Sequence, residues 1–177
     1  LLNEELDEAK MLDAIEAKLE QLDAYAAPNL FSADGPRGPA CADIAARLLA
    51  EAAGSAEPAS VLRRCTEAQA LGALLLQWLE TRHEPTIPPE YCEECCSTVD
   101  VGETGFRSVL HDGDSELSVS ERLGAVVEGL SKFSAAGHLR LVRVVLILQK
   151  VERVRGHTTT QQLGAVFAPK LFSQTWM

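Results

Sequence analysis

Leu139-Arg140-Leu141-Val142-Arg143-Val144-Val145-Leu146-Ile147-Leu148-Gln149-Lys150-Val151-Glu152-Arg153-Val154 is the run on which the fold class turns. Its β-branched residues, Val142, Val144, Val145 and Ile147 among them, suit a strand by propensity alone. Length decides against that, because strands run about 4 to 8 residues and this run continues for about 16 without a turn residue. The run is expected to be a helix.

The segments on either side carry the same period. Downstream, Thr159 with Gln162 forms a capping-box pattern, opening a last helix with Leu163, Val166 and Phe167 on its apolar face. Upstream, Gly137 is expected to separate the run from a helix opened by Ser118 and Glu121, with Leu123, Val126, Val127, Leu130 and Phe133 on one side. Residues 98 to 117 hold only a short apolar patch between glycine-rich and acidic turns. Pro89 suits the first position of a helix running through Tyr91 and the neighbouring cysteines. From Val61, the positions Cys65, Ala68, Leu71, Leu75, Trp78 and Leu79 read as one long central helix, widened by Leu74-Leu75-Leu76 and halted by Pro85 and Pro88-Pro89. A shorter helix before it buries Ile44 and Leu48 and closes at Gly54-Ser55. The loop Gly35-Pro36-Arg37-Gly38-Pro39 precedes that. The first helix carries Leu12, Ile15, Leu19 and Leu22 and must end before Ala27-Pro28, since a residue before proline is biased out of the helical region. The expectation is an all-α, single-domain helical bundle over residues 1–177.

Composition narrows the function classes. With 16 basic and 26 acidic residues the formal net charge is -10, which argues against general attraction to nucleic acid or anionic lipid. No apolar run approaches the roughly 20 residues of a membrane helix, and the charged start is not a signal peptide. Five cysteines in 177 residues, three of them crowded at Cys92, Cys95 and Cys96, do not suit a disulfide framework. A cytoplasmic protein without membrane insertion is expected. The start without Met and the close on Thr175-Trp176-Met177 suggest a segment of a larger protein.

No cofactor or metal is expected. Cys92, Cys95 and Cys96 share a helical face, as three zinc ligands would, yet no second cysteine or histidine pair at ligand spacing accompanies them; packing is the favoured role. Asp112-Gly113-Asp114-Ser115-Glu116 resembles the opening of a calcium loop, but the twelfth position is Leu123 where a bidentate Glu is needed. Neither a Gly-x-Ser-x-Gly elbow nor a Walker-type phosphate loop occurs.

Three stretches, Asn29-Leu30-Phe31-Ser32-Ala33-Asp34-Gly35, Glu84-Pro85-Thr86-Ile87-Pro88 and Ala165-Val166-Phe167-Ala168-Pro169, carry a family resemblance in their order and spacing. They resemble the GTPase-activating domain of the RhoGAP family, with its Gly-[Ile/Leu]-Phe-Arg-x-x-Gly loop, its Leu-Pro-Glu-Pro-Leu-Ile-Pro helix end and its Asn-Leu-Ala-x-Val-Phe-Gly-Pro helix. The resemblance extends from the first helix to Phe172 and implies the family's helical bundle. In the family the loop arginine stabilises charge on the transferring phosphoryl group of a small GTPase, a contribution of about 10³ to 10⁵ in rate. Here that position is Ser32. The family's lysine and arginine of the central helix fall at Leu76 and Glu80, and its two asparagines fall at Gln162 and Lys170.

The resemblance therefore implies a catalytically inactive RhoGAP-homology module. It would act in signal transduction by protein interaction, with a small GTPase of the Rho or Rab class or with the rest of its parent chain, and Ser32, Arg37, Leu76, Glu80, Gln162 and Lys170 are its candidate groove residues. Two alternatives stand beside it. Arg37 could serve as a displaced finger in an active domain, or the chain could be a structural module that packs only within its own protein.

Overall fold

The computed structural model describes residues 2–31, 39–82, 84–88, 131–155 and 160–171. Among them are six α-helices and no strand: α1 (Leu2–Gln21), α2 (Pro39–Ala53), α3 (Pro58–Leu62), α4 (Ala68–Glu80), α5 (Ala135–Arg155) and α6 (Thr160–Leu171). A single 3-10 turn, Ala24–Ala26, follows α1. The all-α expectation holds, and the decisive run Leu139–Val154 lies wholly within α5.

α4 is the hub. Ala70, Leu71, Ala73, Leu74, Leu75, Trp78 and Leu79 are all buried along it, more than half of its length. It packs most extensively on α2, then on α6 and α1, while α5 lies against α1 and the 3-10 turn. The α1 stripe is as the spacing requires, with Leu12, Ile15 and Leu19 essentially inaccessible. Polar clamps flank the α1–α5 seam. Arg143 reaches Asp13 and Glu16, and Lys150 lies 2.6 Å from both Glu16 and Glu20.

Two boundaries differ from expectation. The long helix from Val61 is two helices, because the chain leaves helical geometry at Cys65–Glu67, with Glu67 extended at φ -108°, ψ 116°. The break is held by a distant residue. Lys18 of α1, itself buried, donates from Nζ to the Arg63 carbonyl at 3.1 Å, satisfying an acceptor that the end of α3 would otherwise leave open. The second difference is Gly137, which lies inside the first turn of α5 rather than before it. Ser134 is the true boundary, since its Oγ accepts the Gly137 N–H at 3.0 Å in the manner of an N-cap. Glycine stands at 137 for space: a Cβ there would lie 3.2 Å from the Thr86 carbonyl oxygen.

The amphipathic segment Leu123–Leu130, the Asp112–Glu116 turn, Thr159 and the Gly35–Gly38 loop lie outside the described residues. Among the residues described, no helix is long and apolar enough to cross a membrane.

Candidate functional site

The site grows from the turn after α1. Asn29 adopts φ 55°, the left-handed region that asparagine tolerates better than most residues and glycine best. This is the position where the resemblance has its first glycine. The turn delivers Leu30 and Phe31 inward, and both are buried. Gln69 of α4 fastens the turn by donating from Nε2 to the Pro28 carbonyl at 3.1 Å. The Leu30 backbone then lies directly on α4, so close that a Cβ at Gly72 would sit 2.0 Å from the Leu30 oxygen.

Phe31 meets Phe167 of α6 edge to face, with ring centroids 4.8 Å apart at 82°. One turn further along α6, at its last residue, the Ile87 N–H donates to the Leu171 carbonyl at 2.9 Å, so the 84–88 stretch satisfies one of the acceptors that a helix end leaves open. Thr86 and Ile87 are buried there. Of the stretches that carry the resemblance, the first thus lies on α4 and touches the third through Phe31 and Phe167, and the second bonds to the end of α6.

The candidate residues divide. Glu80 at the end of α4 and Lys170 in the last turn of α6 form an ion pair across 90 residues of sequence. Leu76, one turn before Glu80, is half-buried against the core. Gln162 is exposed at the opening of α6, eight residues and about 12 Å of helix rise from Lys170, so it does not join that pair. Ser32 and Arg37 lie outside the described residues. No protein-family model, curated protein or solved structure matches the chain.

The Glu80–Lys170 pair decides what this surface offers electrostatically. Where the resemblance would have a cationic α4 side chain, the chain has a carboxylate already engaged by its own lysine. Both partners remain partly exposed, with side chains 42% and 27% accessible, so the pair is worth about 0.2–1 kcal/mol. A double-mutant cycle with Glu80→Gln and Lys170→Met, read by chemical denaturation, should give a coupling in that range. A coupling near 3 kcal/mol would show instead that the pair holds α4 and α6 together.

Among the described residues, nucleophilic and metal chemistry find little footing. Cys41 and Cys65 are buried free thiols. Burial pushes both upward from their ordinary pKa, reinforced at Cys41 by its hydrogen bond to Glu67 Oε2, so both stay protonated and poorly nucleophilic. Among the described residues no three His, Cys, Asp or Glu side chains cluster as metal ligands, and Cys92, Cys95 and Cys96 lie outside those residues.

One polar cluster escaped the sequence reading. Arg140 of α5 is 1% exposed and lies among Glu8, Arg82 and Glu84. The signal was available: Arg140 precedes Val144 by four residues and Ile147 by seven, which puts it on the buried face of its own helix.

Proposed function

We propose that the chain is a RhoGAP-homology domain without an arginine finger, a catalytically inactive module of signal transduction that binds a protein partner, with a small GTPase of the Rho or Rab class as the first candidate. The observation that carries the reading is that the Asn29–Phe31 turn seats on α4 and reaches Phe167 of α6, while Ile87 bonds to Leu171 at the end of α6. The first and third stretches touch directly through Phe31 and Phe167, and the second bonds to α6 at Leu171, two residues past the third. The left-handed Asn29 adds support, since it gives a backbone cause for the residue type at that position.

The reading of the module as inactive rests on residue chemistry. Ser32 has no charge to offer a transferring phosphoryl group, Leu76 has none either, and Glu80 spends its charge on Lys170. Such positions suit contact with a partner rather than phosphoryl transfer. The experiment is a pull-down of purified Rho-family and Rab-family GTPases in GDP and GTP-analogue states. Retention of at least one GTPase, weakened when Leu76 and Lys170 are replaced by Asp and Glu, is the expected result. If no GTPase of either class is retained in either state by the folded chain, the GTPase partner is wrong.

One observation favours a second reading, a module that packs against the rest of its parent protein. Val142, Val145 and Leu146 are each more than 40% exposed on the side of α5 opposite Val144, Ile147 and Val151. A helix apolar on both sides is ordinarily covered on both. This face lies on a helix that packs chiefly on α1 rather than on α4, away from the Glu80–Lys170 surface.

A further inference from the structure

Arg140 takes a position that the period of α5 assigns to an apolar side chain, and its surroundings do not fully use it. Glu8 Oε1 lies 3.5 Å from Nη1 and Glu84 Oε2 lies 3.7 Å from Nη2. Both exceed the about 2.7–2.9 Å of a charge-assisted hydrogen bond. Nε and Nη2 of Arg140 have no protein acceptor, and neither does Glu8 Oε2 have a protein donor. Nε–H and Nη2–H are the two parallel donors on one edge of the guanidinium. That edge matches the paired oxygens of a carboxylate or a phosphate, and leaving it unmatched in the interior is costly.

The group borders a cavity of about 440 Å³ between α1, the ends of α2 and α4, and the start of α5, a size typical of small-molecule sites. Arg82 lines the same cavity with its guanidinium 4.8 Å above the Trp78 ring, a second cation held on an aromatic face. Three carboxylates, Asp7, Glu8 and Glu84, line it too. Glu8 is largely buried, 3.5 Å from both Arg82 and Arg140. Glu84 is different: it is 61% exposed, and Ser134 Oγ donates to its Oε2 at 3.1 Å. It lies 3.7 Å from Nη2 on the buried, unpaired edge of Arg140 and is the more exposed of the two carboxylates beside that guanidinium.

We propose that this cavity is a binding site for a small oxyanion, carboxylate or phosphate, which takes the Nε and Nη2 edge of Arg140 in bidentate fashion while Glu84 competes for the same edge. The cavity shares the end of α4 and Glu84 with the stretches described above but is lined by neither Glu80 nor Lys170, and the proposal does not depend on the interaction reading. Its ligand is recognised by paired acceptor oxygens, with Arg82 as the second cation.

The test titrates the full chain with inorganic phosphate and, separately, with acetate, following the Arg140 Nε–H resonance by NMR and the melting temperature. Saturable shifts with at least one anion are expected, with the stronger arm identifying the source of the oxygens. Glu84→Gln removes the competitor and should tighten binding at least tenfold. Arg140→Lys keeps the charge but loses the planar edge, and should abolish saturable binding. Absence of saturation in both the wild-type chain and Glu84→Gln would overturn the proposal, leaving the edge buried and unpaired, as would undiminished binding by folded Arg140→Lys. Should the lysine variant fail to fold, the wild-type resonance decides: movement on anion addition supports the site and an unmoved resonance rejects it.

Discussion

Gly72→Ala is expected to lower the stability of the domain by about 2–4 kcal/mol and its melting temperature by roughly 5–15 °C, although alanine is the better helix former. In an exposed helix interior the change would gain about 1 kcal/mol from propensity. At Gly72 the added methyl would lie 2.0 Å from the Leu30 oxygen and 3.1 Å from the Leu30 carbonyl carbon. Both are backbone atoms, so no rotamer change relieves the contact. Either α4 shifts, disturbing the most heavily buried helix of the fold, or the Asn29–Phe31 turn lifts and takes the Phe31–Phe167 contact with it. Gly164 supplies the control. It is exposed in α6, and a Cβ there meets nothing within 4 Å, so Gly164→Ala should be neutral or stabilising by up to about 1 kcal/mol. Thermal or urea melts of the two variants should move in opposite directions. A Gly72→Ala protein melting at or above the wild type would mean that the Leu30 turn is not seated on α4.

The helical class was legible from run length at Leu139–Val154 and from the dense apolar stripe of α4, because both are local signals of period and breaker residues. The break between α3 and α4 was not legible. Nothing within Arg63–Glu67 forbids a helix, and the bond that helps hold the break comes from Lys18, 45 residues away. Gly137 was misplaced for a related reason. Glycine near a helix start reads as punctuation, whereas here it answers the approach of the Thr86 carbonyl, a tertiary cause. The site divides along the same line. Its motifs could be found by spacing, and Glu80 could be noted as a reversed charge, but the partner that neutralises it is reached only through folding.

That neutralised charge governs the prediction with the largest functional effect. The domain is expected to leave GTP hydrolysis by Rho-family GTPases within severalfold of the intrinsic rate, forgoing the about 10³ to 10⁵ acceleration that an arginine finger supplies. Ser32→Arg should recover only a small part of it. An inserted guanidinium must be held in place and must act where negative charge develops, and the positions that would support it carry Leu76, without charge, and Glu80, whose carboxylate adds negative charge and is engaged by Lys170. The triple variant Ser32→Arg, Leu76→Lys, Glu80→Arg restores the finger and both central-helix cations, and should exceed the single variant by at least tenfold in single-turnover phosphate release. Arg37→Ala in the wild-type background should change nothing measurable. Three outcomes would each move the assignment in a definite direction. Strong acceleration by the unmodified chain that disappears in Arg37→Ala would make this an active domain with a relocated finger. Full recovery in Ser32→Arg alone would show that Leu76 and Glu80 do not weaken the site. No acceleration by the triple variant, under conditions where it binds the GTPase, would place the obstacle in the docking geometry of the α4–α6 surface rather than in the missing charges.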